Sequence, residues 1–148
     1  MGALIGYAIA GGVIILIIAV AAFIPRVDCR DTSLYYRGTV EFIFDGDTIQ
    51  VEGCKIRLAL ADTPERDMPG YFEATNFTAN LCPKGSSVLI DQDDLQPHDK
   101  YNRVLANVIC SDKNLSEELL ENGHAKILTR FCNTSEFASE SWATKFGC

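Results

Sequence analysis

From residue 34 to residue 61 the chain reads LYYRGTVEFIFDGDTIQVEGCKIRLALA, and this stretch limits the fold more than any other. Aromatic and β-branched residues dominate it, and apolar positions alternate with polar ones. Two turn signals, DGD at residues 45–47 and Gly53, divide it into runs of strand length. A period of two puts one face of each run toward a core and excludes an amphipathic helix, so three consecutive antiparallel strands are expected.

Pro64 and DMPG at residues 67–70 then break the sheet. Ala74, Phe77, Ala79 and Leu81 fall at roughly helical spacing within residues 72–81. SSVLI at 86–90 and RVLANVIC at 103–110 read as two more strands, separated by an acidic, proline-containing loop. Asn114 is placed to cap a helix over residues 116–122, with Glu117 after it, Leu119 and Leu120 facing inward and Gly123 as the stop. A last helix is expected to start near Thr134 or Ser135 and to bury Phe137, Ala138, Trp142 and Phe146. The fold class is therefore α+β: a five-stranded, partly open OB-fold β-barrel with three helices.

Ahead of the barrel, residues 3–25 contain no charge. At about 1.5 Å per residue a helix of that length crosses the ~30 Å hydrocarbon layer of a bilayer. The expectation is one N-terminal transmembrane helix over residues 1–25, a tether at 26–33 and a folded domain at 34–148. A retained anchor is favoured over a cleaved signal ending in AVA at 19–21, because the apolar run is long and no Lys or Arg precedes it. Gly6 stands where a myristoylation signal needs Ser or Thr.

The whole net charge of −7 lies beyond residue 25, which excludes adhesion to polyanions through a broad basic face. The six cysteines form no C-x-x-C pair, so disulfides are expected in place of zinc. Cys82, just before the fourth strand, and Cys110, ending the fifth, become neighbours if those strands pair antiparallel. Cys132 with Cys148 would clamp the last helix, leaving Cys29 for Cys54; spacing alone leaves other pairings open. Sequons at Asn76, Asn114 and Asn133 agree with an extracellular domain on a membrane anchor, or a secreted one if the segment is removed. Arg26 and Arg30 argue for the opposite orientation, and the cysteines outweigh them. His98 and His124 are too far apart in sequence to suggest a metal pair, and DQDD at 91–94 reads as a solvated acidic loop.

Polar residues gather at the strand ends: Asp45 and Asp47 in the first turn, Arg57, Asp62, Thr63 and Glu65 around the third strand, and Arg103 opening the fifth. Singly they are turn formers and surface ion pairs. Together, carboxylates without His or Cys suit a hard cation such as calcium, and paired guanidinium groups suit a phosphoryl group. Strict alternation would set Arg57 and Asp62 on opposite faces, so a bend or bulge is expected near Ala61.

In their order, DGDTI, IRLALADTPE and DKYNRVLANV resemble the staphylococcal nuclease (thermonuclease) family, and NGHAKI is similar to a further segment of it. The likeness covers roughly residues 39–131 and implies that family's five-stranded barrel with three helices. It also implies calcium-dependent hydrolysis of DNA and RNA leaving 3′-phosphate ends, with magnesium the second candidate ion. By the resemblance, Asp47, Asp62 and the carbonyl of Thr63 bind the metal with Asp45 behind them. Glu65 serves as general base, and Arg57 and Arg103 grip the phosphate. Lys100 and Tyr101, beside Asp99, would contact a further phosphate. The family's two nucleotide-orienting tyrosines align with Thr129 and Phe131, of which only Phe131 keeps a π-face. Asn102 stands at a family glycine and requires a positive φ. No obligate protein partner is evident. The rivals are a non-catalytic nucleic-acid-binding module of the same fold, and a pilus-like subunit packing through its N-terminal helix.

Overall fold

The computed structural model describes residues 26–148 in full. Of the first 25 residues it describes only the backbone of two strands, β1 (Gly6–Ala10) and β2 (Val13–Ile17), which pair antiparallel. No spanning helix is shown there, and the rest of that segment lies outside the described residues. Among the described residues no helix is long and apolar enough to cross a membrane.

Five strands form the barrel: β3 (Tyr35–Ile43), β4 (Thr48–Val51), β5 (Cys54–Leu58), β7 (Ser87–Gln92) and β8 (Val104–Cys110). Between them lie the short β6 (Ala61–Asp62) and helix α1 (Tyr71–Leu81). After them come β9 (Lys113–Asn114), α2 (Leu115–Glu121), β10 (Lys126–Ile127), two 3-10 turns at Thr129–Thr134 and Glu136–Ser139, and α3 (Ser141–Phe146). The sheet runs β5-β4-β3-β7-β8, and a parallel pairing of β5 with β8 joins its edges. The barrel is thus closed and not partly open.

Each local element has a local cause. Glu52 and Gly53 both take positive φ, 49° and 83°, which a two-residue type I′ hairpin requires. That turn sets Val51 opposite Cys54 and Thr48 opposite Arg57. In β3 the register shifts between Val40 and Phe42; the bulge turns Phe42 outward where alternation from buried Val40 would have put it inside. Asn114 caps α2 as expected, its Oδ1 accepting from the Ser116 N–H at 2.9 Å and the Glu117 N–H at 3.4 Å. The barrel core joins Val40, Ile49, Ile56, Leu58, Ile90 and Val108 to Leu115 and Leu119 of α2.

The C-terminal helix expected from the sequence is two pieces. Glu140 is extended, with φ −67° and ψ 150°, and separates the second 3-10 turn from α3. In one unbroken helix Phe137 and Trp142, five residues apart, would point about 140° from each other. The break lets both enter a second apolar cluster with Ala59, Leu60, Leu120 and Ala143.

Three disulfides pin the chain: Cys29–Cys54 and Cys82–Cys110 reach into the barrel core, and Cys132–Cys148 ties down the C-terminus. These are the expected pairs. The stretch 26–33 has no regular structure, yet it is held against the barrel. Beyond the Cys29–Cys54 bridge, Gln92 donates to the Asp31 carbonyl at 3.0 Å and accepts from the Leu34 N–H at 2.8 Å, while His98 Nε2 lies 2.8 Å from the Cys29 carbonyl.

Candidate active site

Barrel closure builds the site. Pairing β5 with β8 sets Ile56 beside Val104, which brings Arg103, one residue earlier, toward Arg57 and the β3–β4 turn. The result is a cleft of about 600 Å³ lined by Asp45, Asp47, Arg57, Asp62, Glu65, Lys100, Tyr101, Arg103 and Phe131, among others. Of the polar residues expected at the site, all but Thr63 line it. Its acidic side chains, which include Asp93 and Asp99, outnumber its basic ones, Arg57, Lys100, Arg103 and Arg130.

Asp47 is held from every side. It is 6% exposed; its Oδ2 accepts from the Thr63 N–H at 2.7 Å and the Thr63 hydroxyl at 2.9 Å, and its Oδ1 accepts from the Thr48 hydroxyl at 3.0 Å. Thr63 is therefore buried behind Asp47, its N–H and hydroxyl both given to that carboxylate. The turn that delivers Asp47 depends on Gly46. A Cβ there would stand 2.8 Å from both the Ala74 Cβ and the Thr63 Cγ2. The Gly46 carbonyl accepts from the Thr78 hydroxyl at 2.6 Å, which ties the turn to α1.

The bend expected near Ala61 is present, and Arg57 fastens it. β5 ends at Leu58, Leu60 takes a left-handed φ of 60°, and β6 resumes at Ala61 paired with β10. Arg57, 8% exposed, donates from Nη1 to the carbonyls of Leu58 and Ala61 and from Nη2 to Asp62 at 2.8 Å, with Nε 3.1 Å from Asp47 Oδ1. Both Nη1 hydrogens are thus committed to the fold, and a single N–H on Nη2 is left for a ligand.

Arg103 is freer. Its Nε donates to Asp99 Oδ2 at 2.6 Å, its Nη2 lies 2.6 Å from the same oxygen and its Nη1 lies 3.4 Å from the Thr48 hydroxyl, so one N–H on each Nη remains for the cleft. Asp99 also accepts from the N–H groups of Tyr101 and Arg103, which winds the loop around one carboxylate. Burial works against its charge, yet these hydrogen bonds and the Arg103 charge hold the Asp99 carboxyl below its usual range. Asn102 takes a φ of 61°, as the exchange for glycine requires. Asp45 behaves oppositely: burial, and then the Asp47 charge, push its carboxyl upward.

A cation would meet a mixed setting. The donors fit a hard ion in kind, being oxygens only, and Asp62 keeps one carboxylate oxygen unbonded with its side chain 47% exposed. In position, Arg57 bridges Asp47 and Asp62, and among the described residues no three His, Cys, Asp or Glu side chains are grouped to hold a metal.

Thr129 stays out of the cleft. In a 3-10 turn residues three apart eclipse, so Thr129 shares a face with Cys132. That face meets the C-terminus: Cys132 is bridged to Cys148, and a Cβ built on Gly147 would lie 3.5 Å from Thr129 Cγ2. Phe131 and Arg130 turn to the cleft instead. Sequence reasoning missed Arg130; its one signal is a cation beside the retained aromatic ring.

The domain is thus a closed five-stranded barrel of the OB kind, with three arginines and a row of carboxylates at one mouth. The family model described as "Staphylococcal nuclease homologue" matches residues 55–142, and the chain belongs to that family. It is 33% identical over 98 residues to Endonuclease YncB of Bacillus subtilis, covering 60% of this chain and 46% of that one. It is 32% identical over 92 residues to the Probable staphylococcal-like nuclease CAN3 of Oryza sativa subsp. japonica, covering 62% and 23%. A third relative, Uncharacterized protein MJ1439 of Methanocaldococcus jannaschii, is 30% identical over 128 residues, covering 66% and 61%. The chain thus spans less than two thirds of the length of each.

Proposed function

We propose that this protein is a calcium-dependent phosphodiesterase acting on DNA, RNA or both, carried on the outer face of a membrane by its N-terminal segment. One observation carries the reading: Arg57, Arg103, Asp47, Asp62 and Glu65, far apart in sequence, line one open cleft. Family membership and the likeness to a bacterial endonuclease support it. The three disulfides support an oxidising compartment.

Asp47, Asp62 and the Thr63 carbonyl would hold the ion. Bound there, it would supply positive charge toward a phosphoryl oxygen. The chain's own residues do the rest. Arg103 presents its uncommitted N–H groups to the scissile phosphate, where added negative charge in the pentacovalent species strengthens the contact. Arg57 adds one N–H and keeps Asp47 and Asp62 in place. Glu65, exposed at the rim, takes a proton from the attacking water as the bond from phosphorus to the departing 5′-oxygen breaks.

The test is cleavage of single-stranded DNA and RNA by the oxidised full chain, with calcium or magnesium added and then chelated. Cleavage that needs the ion and disappears in Glu65→Gln supports the reading. Tight binding without turnover would instead leave a nucleic-acid-binding module.

A further inference from the structure

Arg130 differs from the other two arginines of the cleft. Arg57 is tied to Asp47 and Asp62, and Arg103 to Asp99. Among the described residues Arg130 has no ion pair and no hydrogen bond, although it is exposed and lines the same cleft. Its guanidinium carbon lies 4.9 Å from the centroid of the Phe131 ring. A planar cation resting on an aromatic face is oriented without losing its donors, so all five N–H groups of Arg130 remain available to an anion.

Its direction is set by the fold. The 3-10 turn is rotated by the Cys132–Cys148 bridge, which takes Thr129 to the C-terminus and leaves Arg130 and Phe131 at the cleft. The cleft is acidic overall, so a polyanion entering it needs a fixed positive contact away from the carboxylates.

We propose that Arg130, braced on Phe131, binds a backbone phosphate at least one nucleotide away from the scissile one. Oligonucleotides, and not single nucleotides or small diesters, are then the substrates this cleft grips best. This rests on the nuclease reading for its meaning but not for its test.

The test compares the full chain with Arg130→Ala and Arg130→Lys. Anisotropy of a fluorescein-labelled oligothymidylate, about a dozen nucleotides long, is titrated between about 50 and 200 mM salt. In Arg130→Ala the slope of log affinity against log salt should fall by ~0.7, one phosphate's worth on a single strand. Arg130→Lys should restore most of the slope, because a point charge still neutralises the phosphate. Oligonucleotide KM should rise in Arg130→Ala at unchanged kcat, while cleavage of a nitrophenyl phosphodiester of thymidine stays the same. Among the described residues the side chain makes no hydrogen bond or ion pair, and its exposed contact with Phe131 is worth about 0.5–1 kcal/mol, so Tm should fall by no more than a few degrees. An unchanged salt slope, or tighter binding in Arg130→Ala, overturns the proposal even if cleavage is normal. A wild-type chain that binds with the expected slope but never cleaves overturns the nuclease reading and leaves Arg130's role standing.

Discussion

Adding one methyl group at Gly46 should damage the site more than the fold. A Cβ there meets the Ala74 Cβ and the Thr63 Cγ2 at 2.8 Å and the Thr63 hydroxyl at 2.9 Å, all below ordinary contact distance. Ala74 is on α1 and fully buried, so it cannot retreat, and Thr63 must give way. Overpacking of this kind costs about 1–3 kcal/mol. For a domain of this size that lowers Tm by roughly 3–15 °C. Thr63 is also the residue whose N–H and hydroxyl hold Asp47 Oδ2 at 2.7 and 2.9 Å. A displacement of ~1 Å in a reacting group costs on the order of a hundredfold in rate. Gly46→Ala should therefore remain folded by circular dichroism, melt lower, and lose about two orders of magnitude in kcat on single-stranded DNA. Binding through Arg130 should persist. A variant that melts within ~1 °C of the parent and cleaves within about twofold would refute the argument that the turn is built around this close approach.

Other expectations follow from the same geometry. Glu65→Gln should lower kcat by ~10²–10⁴ with little change in oligonucleotide affinity, by cleavage and anisotropy assays. Replacing Cys132 and Cys148 together by Ala should cost about 3 kcal/mol in a guanidinium melt, since the bridge spans a sequence separation of 16; it should also weaken oligonucleotide binding by freeing the turn that aims Arg130. At Asp91, burial and then the charges of Glu140, Asp94 and Asp93 raise the carboxyl; burial, with the charges of Asp94, Asp93 and Asp91, raises that of Glu136. Raised carboxyls mean that the folded state binds more protons than the unfolded one. Stability then falls as pH rises from the ordinary carboxylate range through the raised values. Melting should accordingly rise on acidification from neutral pH toward the ordinary carboxylate range, and Asp91→Asn should raise Tm at neutral pH while flattening that rise. Below that range the lowered Asp99 carboxyl acts in the opposite sense, losing its stabilising charge as it protonates.

How far the sequence leads depends on how local each cause is. Glu52-Gly53, the Asn114 cap and the alternation of β4 and β5 act within a few residues, and all can be read directly. The bend before Asp62 could be inferred because two side chains of one motif had to meet. That Arg57 itself ties the bend to carbonyls within its own strand end could not. Closure of β5 on β8 joins segments nearly fifty residues apart, with no trace in local pattern, yet it is what brings Arg103 to Arg57. Thr129 was aligned by position with a ring-bearing residue of the cleft. The turn that carries it is rotated by a disulfide to the C-terminus, which decides that Arg130 faces the opening instead.

The strap at residues 26–34 has a mechanical consequence. Gln92 donates both to the Asp31 carbonyl and, at 2.9 Å, to the Pro97 carbonyl, and His98 holds the Cys29 carbonyl. Those two residues are also the root of the loop that carries Lys100, Tyr101 and Arg103. A load applied ahead of Arg26 would be borne at the hinge of the phosphate-facing loop, so the mounting point and the gripping arm of this domain share one bracket.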